Sequence, residues 1–230
     1  MCIRDRHTQM EDEYAVIFKG ILELNNCSPD NFEGAIISTV VPQLKPVLKA
    51  AVEKLLKCRV MIVSLELNTG LTMLMDNPSA TGADLVCGAV AVKNKYPSPS
   101  IIFDLGTATT IAAIDREGNY IGGSIIPGVN VSLNTLASST AQLSHINLNE
   151  PCKDVIGKNT ISAMRSGSII GTACMMDGMI DRYKEIIGKD ATVIATGGLS
   201  GLIVPHCRHE IIYDKDLLSD GLYCLYKMNA

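Results

Sequence analysis

The 230-residue sequence predicts an α/β protein in which one strand–helix pattern is used twice. Three observations predict it. Apolar runs of strand length alternate with amphipathic helical stretches along the whole chain. The second half reads strand-strand-strand, helix, strand, helix, strand, and the first half reads helix, strand, helix, strand. The first copy therefore lacks an opening three-strand meander, which by comparison with Ser100–Ile126 would need roughly 27 residues. The expected division is 1–98, a shortened first half ending in a connecting helix, and 99–230, a second half with the full pattern. Two readings of the short half stay open: a sequence truncated at its start, or a first domain that is naturally short and carries an exposed sheet edge. Met1–Arg6 matches neither copy.

In the first half, Glu11–Leu24 is helical, with Tyr14, Ile17, Phe18, Ile21 and Leu22 on one face. Ala35–Ser38 is a strand, Gln43–Leu56 a helix behind Pro42, and Val60–Val63 a strand. A loop with Asn68, Gly70 and Asp76-Asn77-Pro78 leads to a helix over Thr81–Lys95. In the second half, Ser100–Asp104, Thr109–Asp115 and Tyr120–Ile126 are strands, the last two joined by a turn at Arg116–Asn119. Pro127-Gly128 opens a helix to about Ser139. Thr160 to Ile187 is one or two helices, capped by Asn159 or Thr160 and stopped by Gly188. Ala191–Ala195 is a buried strand, and Gly197-Gly198 opens a helix to about Val204. Glu210–Tyr213 is a short strand and Ser219–Tyr226 a terminal helix.

Composition narrows the function. Apolar residues make up 47% of the chain, enough for a packed core and too many for a disordered one. The net charge is −4 and no basic run stands out, so the footprint of a nucleic-acid binder is absent. Apolar runs fall short of a membrane span. Eight cysteines are scattered without a C-x-x-C pair and no secretory leader precedes them, which points to a reducing cytoplasm. His206-Cys207-Arg208-His209 has metal-ligating side chains, but its spacing does not fit a zinc site and a surface loop is the default.

The densest chemistry lies at Asp104-Leu105-Gly106-Thr107-Ala108-Thr109-Thr110, between two apolar strands. Gly106 allows close approach of a ligand to the backbone and tolerates positive φ. Thr107, Thr109 and Thr110 offer hydroxyl and N–H donors to phosphate oxygens, and Asp104 can hold a cation or a metal-bound water. A polar hairpin turn is the alternative.

Five segments in this order, DNPSATGADL (76–85), DLGTATT (104–110), GGSIIPGV (122–129), IGKNT (156–160) and ATGG (195–198), resemble the type III pantothenate kinases. The resemblance runs from about His7 to Met228. It implies the acetate-and-sugar-kinase/heat-shock-70/actin superfamily, with two ribonuclease-H-like halves, in agreement with the duplication. It implies transfer of a phosphoryl group from ATP to pantothenate, giving 4′-phosphopantothenate in the first step of coenzyme A synthesis. It further implies Mg2+ with ATP, a monovalent cation (potassium or ammonium), and a homodimer with the pantothenate pocket at the subunit interface.

By the same resemblance Asp84 is the general base, Asp104 the cation ligand and Thr107 an ATP contact. Gly106 and Thr109 share the phosphate turn, and Gly197 and Gly198 match an adenosine motif. Met75, Gly82, Ala83, Asp84, Leu85 and Thr160 fall at pantothenate-binding positions, Thr160 reaching into the neighbouring subunit's site. Each has a plainer reading: Asp84 as a helix N-terminal carboxylate, Thr160 as a helix cap, and Gly122, Gly123 and Gly128 as turn and packing glycines.

Three departures stand against that pattern. The family's N-terminal Asp-x-Gly-Asn-Thr loop, one of two phosphate cradles, is not in the sequence. Leu85 replaces an Arg whose hydrogen bonds to pantothenate would be worth ~1.5–3 kcal/mol, or roughly 10- to 150-fold in binding. Met75 replaces a Tyr and supplies no hydroxyl. The expectation is a pantothenate kinase, truncated and impaired as written. The alternative is a non-catalytic paralogue or regulatory partner of an intact homologue, forming a mixed dimer with it. A third reading is a related kinase for a less polar small alcohol.

Overall fold

In the computed structural model, residues 10–64 and 66–230 are described. The readings of Met1–Arg6 and Cys2 lie outside them. The chain divides into two compact units. Unit 1 holds Met1–Gly70, Ser79–Ala91 and Leu218–Ala230, and unit 2 holds Leu71–Pro78 and Val92–Leu217. The bounds of these units differ from the chain-order halves 1–98 and 99–230 in three places: 71–78 and 92–98 lie with unit 2, and 218–230 with unit 1.

Unit 1 is built on two parallel strands, β1 (Gly34–Ile37) and β2 (Arg59–Ile62), in register Gly34 with Arg59 and Ile37 with Ile62. Helices α1 (Glu11–Leu24) and α2 (Leu44–Leu55) pack together through Tyr14, Phe18, Leu44, Leu48 and Ala51, with Tyr14 and Phe18 on the apolar face expected of α1. Among the described residues no meander accompanies these strands. Helix α3 (Ala83–Lys95) begins in this unit and ends in unit 2. Helix α7 (Leu217–Asn229) crosses α3 closely at Gly221, where a Cβ would stand 2.0 Å from the Cys87 carbonyl oxygen. Burial pushes the Cys87 thiol up to about 11, so it stays protonated.

Unit 2 carries a five-stranded mixed sheet in the order β5-β4-β3-β6-β7. Strands β3 (Ser100–Leu105), β4 (Ala108–Ile114) and β5 (Tyr120–Pro127) form the antiparallel meander, and β6 (Thr192–Thr196) and β7 (Ile212–Tyr213) add in parallel on the other edge. This is the strand–helix order expected of a complete copy. Gly122, at φ +124, accompanies the shift of register between β4 and β5, a conformation that L side chains rarely take. Met73 and Tyr120 form a short parallel bridge at the start of β5: the Leu74 N–H donates to the Tyr120 carbonyl at 2.8 Å and the Tyr120 N–H to the Thr72 carbonyl at 2.9 Å.

Helices α4 (Val129–Ser138) and α5 (Thr160–Ile187) cover one face over a core of Ile101, Phe103, Ile169, Ala173, Met176 and Ile180. Helix α5 is one element, not two. Asn159 alone is its cap: its side chain accepts from the Ser162 N–H at 2.9 Å, while Ser162 Oγ accepts from the Asn159 N–H at 3.1 Å. Thr160 is the first helical residue and is exposed. The helix expected after Gly197-Gly198 is shorter than its pattern: α6 (Ser200–Ile203) gives way to a 3-10 turn over Val204–His206. Pro205 has no N–H to continue an α ladder there. Among the described residues no helix is long and apolar enough to cross a membrane.

Candidate active site

The turn at Asp104–Thr110 is a tight antiparallel hairpin, so the hairpin and phosphate-loop readings describe the same backbone. Leu105 pairs with Thr109, and the Gly106 N–H donates to the Ala108 carbonyl at 3.1 Å. Gly106 and Thr107 are exposed at the tip. Gly106 does not use its freedom of φ; the positive φ of this region belongs to Gly197, at +94.

Gly197 brings the two motifs together. It follows β6, whose register sets Thr196 beside Asp104. A Cβ on Gly197 would stand 2.7 Å from Asp104 Oδ1 and 2.7 Å from the Leu105 backbone. A Cβ on Gly128 would stand 2.1 Å from the Thr107 carbonyl oxygen, and the Gly128 N–H donates to that oxygen at 3.1 Å. Both glycines are thus fixed by packing. Gly106 and Gly198 are not: a Cβ on Gly106 would meet nothing closer than 3.5 Å, and one on Gly198 nothing within 4 Å. The backbone of Gly198 faces open space and that of Gly106 meets only ordinary contacts, which suits the close approach of a phosphate or ribose.

Thr109 is 1% exposed and lines a cavity of about 540 Å3 with Ile126, Leu133, Met164, Gly167 and Thr172. Thr107 is the hydroxyl that reaches solvent at the tip. Ser200 Oγ is buried and donates to the Thr196 carbonyl, fastening the start of α6 to the end of β6.

Among the described residues no group of three or more His, Cys, Asp or Glu side chains is placed to hold a metal. A cation at Asp104 would have one carboxylate and otherwise hydroxyl, backbone or substrate oxygens. That donor set suits a hard cation shared with a phosphate better than a protein-enclosed site. The His206–His209 segment is tied to α5: Asp177 accepts from the Arg208 N–H at 2.9 Å and the His209 N–H at 3.2 Å, and His209 Nε2 is 2.9 Å from Asp181 Oδ1.

The remaining expected residues divide between the units. Gly82, Ala83, Asp84 and Leu85 lie at the start of α3 in unit 1, all half-buried. Asp84 Oδ1 accepts from the Leu85 N–H at 2.9 Å, as a carboxylate in a first helical turn does. A Cβ on Gly82 would stand 2.5 Å from that oxygen, so Gly82 makes room for the Asp84 carboxylate. Met75 is half-buried in unit 2, just past the bridge from Met73 to Tyr120. At about 3.3 Å per residue, the length of β5 puts that bridge roughly 20 Å from the Asp104–Thr110 hairpin.

One polar cluster was not foreseen. Asp214, 8% exposed, accepts from Lys95 Nζ at 2.7 Å, from the Tyr96 hydroxyl at 2.7 Å and from the Asp216 N–H at 3.1 Å. Burial raises its pKa, but these donors outweigh burial and hold the carboxyl below the usual range. The only signal in the sequence was an Asp closing a short apolar strand, too common to single out.

The family profile described as type III pantothenate kinase matches residues 2–182. The type III pantothenate kinase of Bacillus cytotoxicus is 41% identical over 226 residues, which cover 98% of this chain and 86% of the relative. A Campylobacter jejuni crystal structure described as a Baf family transcriptional activator superposes with a TM-score of 0.60 at 20% identity, covering 91% of this chain and 87% of that one. At that identity it speaks for the fold alone. The identity over nearly the whole chain and the profile match over residues 2–182 place the sequence: it belongs to the type III pantothenate kinase family.

Proposed function

We propose that the chain transfers the γ-phosphoryl group of ATP to the hydroxyl of pantothenate, giving 4′-phosphopantothenate for coenzyme A synthesis. The observation that carries this reading is the 41% identity across 98% of the chain. It favours an enzyme over a non-catalytic partner. Thr107 and the bare Gly198 supply backbone N–H groups and one hydroxyl to the nucleotide, Gly106 leaves room for its approach, and Gly197 keeps that surface joined to Asp104. Thr109 supports the turn from beneath. Asp84 accepts the hydroxyl proton as the phosphoryl group departs. Bound at Asp104, a monovalent cation, with Mg2+ carried on ATP, would supply neutralisation of phosphate charge. Gly82 and Ala83 shape the approach to Asp84, and Leu85 and Met75 give pantothenate apolar rather than donor contacts, which weakens its binding. In a homodimer Thr160, exposed at the start of α5, meets pantothenate bound to a second copy.

The test is ATP-dependent formation of phosphopantothenate by the purified protein and by Asp84→Asn. The substitution should lower kcat by about 10²–10⁴. A folded wild-type protein that makes no product would overturn the reading, and an Asp84→Asn variant of wild-type rate would remove Asp84 from it.

A further inference from the structure

Beyond Gly198 the chain turns into α6, and Gly201 is exposed on it. A Cβ on Gly201 would stand 3.3 Å from Tyr213 Cε1, 3.6 Å from Cζ and 3.7 Å from the hydroxyl oxygen. The edge of the Tyr213 ring thus rests against bare helix backbone. Tyr213 is nevertheless 45% exposed. It closes the two-residue strand β7, in register with Ala195, two residues before Gly197. Gly197 touches Asp104 and Leu105 at the Asp104–Thr110 hairpin, and β3, β6 and β7 are parallel neighbours whose carboxyl ends carry the hairpin, Gly197-Gly198 and Tyr213 in that order. Phosphate turn, open Gly198 and half-exposed aromatic ring therefore follow one another along a single edge of unit 2, in the order phosphates, ribose and base follow in a nucleotide.

We propose that Tyr213 is the platform on which the base of the nucleotide stacks. The proposal rests on the kinase reading for the nucleotide's presence and goes beyond it in naming the base contact. The ring edge held by Gly201 fixes the orientation of the ring, so little rotamer freedom is lost on binding. Stacking on an aromatic face tolerates any base, because every base has a π-face. The site should therefore discriminate weakly between purine nucleotides.

Tyr213→Ala should raise KM for ATP and for GTP about tenfold, with kcat within about twofold. Inhibition by inorganic tripolyphosphate, which has no base, should be unchanged, and Tyr213→Phe should restore the KM. An unchanged KM in Tyr213→Ala, or a matching loss of tripolyphosphate inhibition, would overturn the proposal and leave Tyr213 a packing residue. The wild-type protein gives a second reading independent of turnover and of variant folding. Its Tyr213 ring proton resonances, identified by their disappearance in Tyr213→Phe, should move on addition of ADP and stay in place on addition of tripolyphosphate. A ring insensitive to ADP would overturn it even if phosphopantothenate is made. A ring that responds in a protein without pantothenate kinase activity would uphold the base contact and reject the substrate assignment.

Discussion

Four glycines around the Asp104 turn look alike in sequence and differ in what a methyl group would meet. At Gly197 a Cβ would press on Asp104 and the Leu105 backbone, and φ is +94. At Gly128 it would press on the Thr107 carbonyl. At Gly106 and Gly198 it would find ordinary contact or open space. Gly197→Ala should therefore cost about 2–3 kcal/mol of stability, from clash and backbone strain together. Gly198→Ala should change stability by less than about 1 kcal/mol while raising KM for ATP. Urea unfolding and steady-state kinetics on the pair separate the two roles; equal loss of stability in both would refute the division. The sequence read Gly128 as a packing glycine and grouped Gly106, Gly197 and Gly198 as ligand-facing; it could not show that Gly197 is packed, because the neighbours of Gly197 come from another strand. It likewise left Asn159 and Thr160 as equal candidates to cap α5, and only the Ser162 geometry decides for Asn159.

Element positions were more legible than element ends. Helix α1 falls where its apolar period puts it, and each strand of the meander lies within about two residues of its apolar run. Helix α6 starts at Ser200, after the Gly197-Gly198 expected to open it, and ends at Ile203, one residue before the expected Val204, where the chain passes into a 3-10 turn at Pro205. The joint between the end of α3 and the end of β7 was not legible at all. It depends on Lys95 and Tyr96 meeting Asp214, more than a hundred residues later. With its folded pKa held below the ordinary value, Asp214 contributes stability above the unfolded carboxylate pKa of about 3.9. That contribution is lost as pH falls through the folded pKa. Asp214→Asn should thus be less stable than wild type by about 2 kcal/mol near neutrality, toward the low end for a buried pair because Lys95 can return to water. The gap should close below about pH 4. Urea midpoints measured for both proteins from neutral pH downward check the sign; a gap that does not change with pH would count against it.

At the scale of the molecule, the C-terminal helix belongs with the N-terminal unit. Leu225 is fully buried, Gly221 lies against the Cys87 carbonyl, and the Tyr226 hydroxyl donates to the Glu33 carbonyl at 3.3 Å. Asn229 exchanges hydrogen bonds with Asn68: the Asn68 N–H donates to Asn229 Oδ1 at 2.9 Å, and Asn229 Nδ2 donates to the Asn68 carbonyl at 2.9 Å. Removing Leu218–Ala230 should therefore raise hydrogen exchange in β1, β2 and the first part of α3 far more than in β3–β6. Equal loss of protection in both sheets, or none in β1, would contradict this. The sequence by itself determined the family, the repeated α/β pattern and the location of the Asp104–Thr110 hairpin. Those depend on local period, on turn residues and on motif order, which a linear chain displays. Only the tertiary structure decided which glycines are packed and which are bare, where α7 docks, and what surrounds Tyr213 and Asp214. Those depend on contacts between residues far apart in sequence, whose geometry is fixed only when strands from separate segments are brought side by side.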